Sequence, residues 1–137
     1  MAVEYLTQHN VQKTTVKKSG KNNIGLKRLR NALRYSLAGI ITAYRNEQAF
    51  RQEVLLALVL IPLAMILPVG NLGKALMIAS VLLVLIVELL NSAIEATVDR
   101  ISLDHHNLAQ HAKDMASAAV MFSLINLATV WLLVIYS

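Results

Sequence analysis

KALMIASVLLVLIVELLNSAIEATVDR, Lys74 to Arg100, sets two incompatible solvents end to end. Past Lys74 it is almost wholly apolar as far as Val87, and then Glu88, Asn91, Glu95 and Asp99 follow at steps of three, four and four. An α-helix turns about 100° per residue, so those four side chains share one narrow stripe. From Lys74 to Asp99 such a helix is ~39 Å long, against a hydrocarbon core of ~30 Å. Glu88 therefore falls near the edge of the hydrocarbon, with Glu95 and Asp99 in or beyond the headgroups. Ionisable groups so close to lipid are costly and tend to mark a working site. Transporters hold theirs near the midplane; this stripe sits where a water-soluble reagent meets a lipid headgroup.

The remaining sequence fits that reading. The chain has 137 residues, 56% of them hydrophobic, too apolar for an ordinary soluble domain. It has no cysteine, which excludes a disulfide frame or a thiolate metal site. Apolar runs predict two further spans, at about 49–69 (with Pro62 inside) and about 115–136, beside the central one at about 73–99. Pro68, Gly70, Asn71 and Gly73 form a turn between the first two. In the third, Ala116, Ala119 and Ser123 suit close helix packing, Asn126 suits a hydrogen bond to a neighbour, and Trp131 and Tyr136 suit the outer interface.

Ahead of the spans, Leu26, Leu29, Leu33, Leu37, Ile40 and Ile41 recur at helical spacing among Lys27, Arg28, Arg30 and Arg34. Residues 24–47 thus predict a basic amphipathic helix lying in the interface. It reads either as an anchor with snorkelling cations or as a lid over a polar surface site. Residues 1–23 are polar, basic and aperiodic, the pattern of a disordered tail. Ten of the thirteen basic residues lie at or before Arg51; Arg100 and Lys113 flank the second loop, and Lys74 is alone in the first. The positive-inside rule then places the N-terminus and the Arg100–Lys113 loop in the cytoplasm. With the first apolar run beginning near Val54, no secretory leader is expected.

The acids suggest a chemistry. Glu47 and Glu53 are predicted at the same interface as the Glu88–Asp99 stripe. Carboxylates without soft ligands suit a hard cation, and Mg²⁺ typically binds through one or two of them plus phosphate oxygens. Phosphoryl transfer also needs a carboxylate to deprotonate or orient a hydroxyl, and cations to balance phosphate charge. On this reading Glu47 and Glu95 hold the metal, Glu88 takes a proton from a lipid hydroxyl, and Arg28, Arg34, Arg100 and Lys113 are candidate phosphate partners. The competing reading makes the polar residues helix–helix glue, with Glu95 and Asp99 a solvated face. GNLGK, Gly70–Lys74, lacks the spacing of a phosphate loop. The three histidines of ISLDHHNLAQHAKD have no H-E-x-x-H partner set for zinc and read first as solvated loop residues.

NEQAFRQE (Asn46–Glu53), VELLNSAIEATVDR (Val87–Arg100) and AKDMASAAV (Ala112–Val120) together resemble the prokaryotic diacylglycerol kinase family, from about Arg28 to the C-terminus. The resemblance implies an all-α membrane protein of the bacterial inner membrane, with three transmembrane helices and a surface helix per protomer, assembled as a homotrimer. It implies transfer of the γ-phosphate of ATP to diacylglycerol, giving phosphatidic acid, with Mg²⁺ as cofactor. The partners are then ATP, the lipid, the membrane and further copies of the chain, without nucleic acid. Carried over by motif, Glu88 is the catalytic base and Glu47 and Glu95 bind the metal. Arg28, Tyr35, Glu47, Glu95, Asp99, Asp104, His105, His106, Lys113 and Asp114 fall at nucleotide positions. Arg28, Phe50, Glu53, Glu88, Asn91 and Ser117 fall at lipid-substrate positions. The chain departs from the pattern at Ala116, where the family usually has Gly, and in the loop DHHNLAQH. Undecaprenol kinase, a branch of the same family, and a non-enzymatic transporter subunit or packing protein are the competing functions.

Overall fold

A computed structural model describes residues 21–101 and 107–136. They form four helices, α1 (Lys21–Asn46), α2 (Gln48–Ile66), α3 (Asn71–Ile101) and α4 (Asn107–Ile135), and the described residues include no strand. Gln48–Ile66, Asn71–Arg100 and Asn107–Ile135 are long and apolar enough to cross a membrane. The chain divides into two compact units, residues 1–35 and 36–137. In the described part of the first, Leu26, Leu29 and Leu33 are exposed and the Arg34 guanidinium lies 5.8 Å from the centre of the Tyr35 ring.

In the second unit α3 is the hub, packing against both α2 and α4. Its contact face follows the helical repeat: Met77, Val81 and Val84 are buried, while Leu76, Leu82, Leu83 and Ile86 are exposed. Met77 and Val81 form one core with Ala57 and Ala64 of α2 and Trp131 of α4. The two alanines let helix backbones approach closely, and Leu60 and Ile61 of α2 pack against the same core. Trp131 is only 8% exposed, packed within that core. The two alanines leave volume beside α3, and the indole shares it.

Helix ends obey local chemistry. Pro62 within α2 removes one amide donor, so the Leu58 carbonyl lacks its helical partner. α2 stops at Ile66, two residues short of Pro68, which cannot extend it. Lys74 Nζ then donates to the Met65 carbonyl at 2.8 Å, satisfying one of the acceptors that a helix end strands. The lone basic residue of this turn is thereby spent on structure. α1 begins at Lys21, inside the stretch expected as a tail, and residues 1–20 lie outside those described. α4 begins at Asn107, ahead of the expected span start at 115, and α3 continues to Ile101. Apolar runs mark where lipid is; helical hydrogen bonding continues past it.

Gly73 has a packing reason. A Cβ built there would lie 2.8 Å from Val134 Cγ1, so α3 and α4 approach too closely for a side chain. Gly73→Val is expected to destabilise the bundle by about 1–3 kcal/mol. A thermal melt in detergent should record the loss, and adding Val134→Ala should recover part of it.

Candidate active site at the polar end of α3

The face of α3 that carries Met77, Val81 and Val84 continues, one turn on, into Glu88. The same geometry that buries the core residues therefore buries a carboxylate, and Glu88 is only 3% exposed. Asn91, Ser92 and Glu95 follow on this side, all half-buried, and Asp99 emerges into the open. Asn91 Nδ2 donates to Glu95 Oε1 at 3.2 Å, an i, i+4 pair that fixes the outer carboxylate. Asn91 Oδ1 and Ser92 Oγ are buried without a hydrogen-bond partner among the described residues. Buried polar atoms are rarely left so, and each here faces a site with room for another molecule.

Two grooves flank this stretch. One, of about 570 Å³, is lined by Ala49, Glu88, Asn91 and Ser117 at one end and by Val120, Met121, Leu124, Ile125 and Ala128 along α4. It is a polar head continued by an apolar wall. The other, of about 580 Å³, lies between residues Ser36–Asn46 of α1, with Glu47 just beyond, and Leu89–Ala96 of α3, and includes Ser92.

Glu47 reaches the second groove because the chain breaks at it. It stands between α1 and α2 in extended conformation, φ −103° and ψ 120°, and its side chain makes no capping bond to α2. The carboxylate is thus left for other work. Charges on Glu47 and Glu95 act on Glu88, and Glu88 in turn acts on Glu53, whose Oε2 is buried and unpartnered. None of these four acids forms an ion pair with a described residue; the ion pair present joins Lys113 to Asp99. Like charges gathered at partial burial require a compensating cation or proton. Among the described residues no three acid or imidazole groups come close enough to hold a metal by themselves. Two carboxylates remain a fitting set for Mg²⁺, whose other ligands are typically water and phosphate.

The expected residues thus divide. Glu88, Asn91 and Ser117 share one groove, Glu47 lies on the other, and Glu53 and Glu95 stand within electrostatic reach of Glu88. Lys113 and Asp99 bridge α4 to α3, and Asp114 is exposed. Phe50 is 3% exposed and lines neither groove, so its ring is packed inside the protomer. Arg28 and Tyr35 belong to the first unit, and Asp104, His105 and His106 lie outside the described residues. Sequence reasoning missed Ser92, whose signal is its spacing, four residues beyond Glu88 on the same helix. It also missed Arg51, whose partners are backbone carbonyls.

An all-α fold with three helices long and apolar enough to cross a membrane, and an acid cluster toward one end of α3, defines a polytopic membrane protein. The chain matches the family described as prokaryotic diacylglycerol kinase over residues 34–135, and it belongs to that family. It is 59% identical over 111 residues to the diacylglycerol kinase of Pseudomonas aeruginosa, covering 81% of this chain and 90% of that one. Identity to the diacylglycerol kinase of Haemophilus influenzae is 49% over 107 residues, covering 78% and 91%. To that of Escherichia coli K12 it is 45% over 116 residues, covering 85% and 95%.

The Lys113–Asp99 pair is solvent-accessible on both sides, at 38% and 54%. Its coupling should therefore be small and screened. A double-mutant cycle with Lys113→Gln and Asp99→Asn, followed by thermal melting, is expected to show a coupling that fades as salt rises toward about 1 M.

Proposed function

We propose that the protein is an ATP- and Mg²⁺-dependent diacylglycerol kinase that makes phosphatidic acid at the cytoplasmic face of the bacterial inner membrane. The observation that carries this reading is the groove in which Glu88, Asn91 and Ser117 head an apolar wall of Val120, Met121, Leu124, Ile125 and Ala128. A lipid alcohol has that same polarity: its hydroxyl belongs at the carboxylate and its acyl chains along α4. Its relatives bear the name diacylglycerol kinase, which selects the lipid.

The chemistry follows from the side chains. Glu88, as carboxylate, takes the proton of the lipid hydroxyl while that oxygen forms its bond to the γ-phosphorus of ATP; the bond to the β–γ bridging oxygen breaks and ADP leaves. Asn91 holds Glu95 through Nδ2 and keeps Oδ1 free to accept from the substrate. Glu47 and Glu95 would hold Mg²⁺, which offsets the charge of the phosphates. Lys113 has three ammonium donors, so a phosphate can share it with Asp99. Arg28, Tyr35, Asp104, His105, His106 and Asp114 come to the proposal as nucleotide contacts, and Phe50 and Glu53 as lipid contacts, through the family resemblance.

The setting belongs to the proposal too. α1 exposes Leu26, Leu29, Leu33, Leu37, Ile40 and Ile41, which suits a helix lying in the cytoplasmic interface. A homotrimer suits the many large apolar side chains that one protomer leaves exposed on α2, α3 and α4, and would close grooves that stand open on one chain.

A phosphoryl-transfer assay in mixed micelles tests this reading, with labelled ATP, Mg²⁺ and either diacylglycerol or undecaprenol. Label is expected in phosphatidic acid, and Glu88→Gln, nearly isosteric, should lower turnover by about 10²–10⁴-fold with the fold intact. Label in the polyprenyl phosphate would move the acceptor to the undecaprenol branch. Loss of the folded assembly in Glu88→Gln would instead make the stripe structural glue.

A further inference from the structure

The break at Glu47 has no cause in local sequence. YRNEQAFRQEV, Tyr44–Val54, contains neither Gly nor Pro, and every residue in it is compatible with one continuous helix. In that helix the amides of Gln48, Ala49 and Phe50 would donate to the carbonyls of Tyr44, Arg45 and Asn46. Those three bonds are missing. The bonds on either side survive, from Glu47 N–H to the Ala43 carbonyl at 2.8 Å and from Arg51 N–H to the Glu47 carbonyl at 3.4 Å. Arg51 reaches two of the three stranded carbonyls: its Nη1 donates to Tyr44 at 3.3 Å and to Arg45 at 3.0 Å. One guanidinium thus replaces two of the three backbone donors lost across the gap. Its charge also sits at the C-terminal end of α1, where the helix dipole favours a cation.

We propose that Arg51 is a positioning residue that holds the helix open at Glu47, and thereby sets the Glu47 carboxylate for the divalent cation of the phosphoryl-transfer site. The cation half rests on the function proposed above. Closing the break would carry ψ of Glu47 from 120° to about −42° and re-aim all of α2 relative to that carboxylate. Arg51 acts through the backbone: it forms no ion pair with a described acid. Arginine suits the task because its rigid fork keeps its donors together and its charge never titrates. Lysine offers a point charge and should hold the break less well.

The test uses the full-length protein, purified in its native oligomer, with Arg51→Gln, Arg51→Lys and Glu47→Gln. Amide hydrogen exchange at Gln48 and Ala49 reads the break without reference to activity. These amides are unbonded in the open form, so Arg51→Gln is expected to slow their exchange as the helix closes. It should also raise the Mg²⁺ concentration for half-maximal rate by about ten- to a hundred-fold, with KM for diacylglycerol little changed. Arg51→Lys should recover part of both effects, and carries the measurement if the glutamine variant does not fold. Unchanged exchange and an unchanged Mg²⁺ requirement in Arg51→Gln would overturn the proposal, as would a loss shared equally by both substrates. If Glu47→Gln leaves the Mg²⁺ requirement as it was, the cation role of Glu47 falls, while the exchange data still decide whether Arg51 holds the break.

Discussion

The constraint on which the structure turns is that one face of α3 serves two purposes. Met77, Val81 and Val84 fasten it to the bundle, and the next position on that face is Glu88. A carboxylate in such a place loses hydration that apolar neighbours cannot return, so it needs polar company or a cation. The residues around it supply part of this: an amide at Asn91, a hydroxyl at Ser117 and open space on both sides of the helix. Stability alone would favour an apolar residue there. The carboxylate makes sense as an investment in chemistry.

The arrangement also explains why acids from separate elements converge. α3 brings Glu88 and Glu95 by its own periodicity, whereas Glu47 and Glu53 come from the α1–α2 junction, where the helix is interrupted for a single residue. An unbroken helix would give α2 a different direction. The interruption strands carbonyls that need a donor, and Arg51 supplies one to Tyr44 and Arg45; in bare hydrocarbon they would go unsatisfied. Much of the apolar surface of α2 and α4 is exposed on the single chain, as suits helices long and apolar enough to cross a membrane.

Departures from the family pattern fall in informative places. Ala116, where the resemblance implies Gly, is 6% exposed, so its methyl lies inside the packed surface of α4. The loop DHHNLAQH differs more, and its His111 is exposed on the first turns of α4.

Much was legible in the sequence because helices in lipid obey one-dimensional rules. Apolar runs located the three long helices, the spacing of Glu88, Asn91 and Glu95 put them on one side of α3, and quoted motifs pointed to the family that the comparisons bear out. Helix ends were harder, since hydropathy reports the solvent and not the hydrogen-bond ladder; hence the early start of α4 at Asn107. The burial of Trp131, the close approach at Gly73, the unpartnered hydroxyl of Ser92 and the span of Arg51 across the Glu47 break depend on distances between elements. Periodicity determines which side of a helix a residue occupies. What it meets there depends on how two helices approach, and only the tertiary structure decided that.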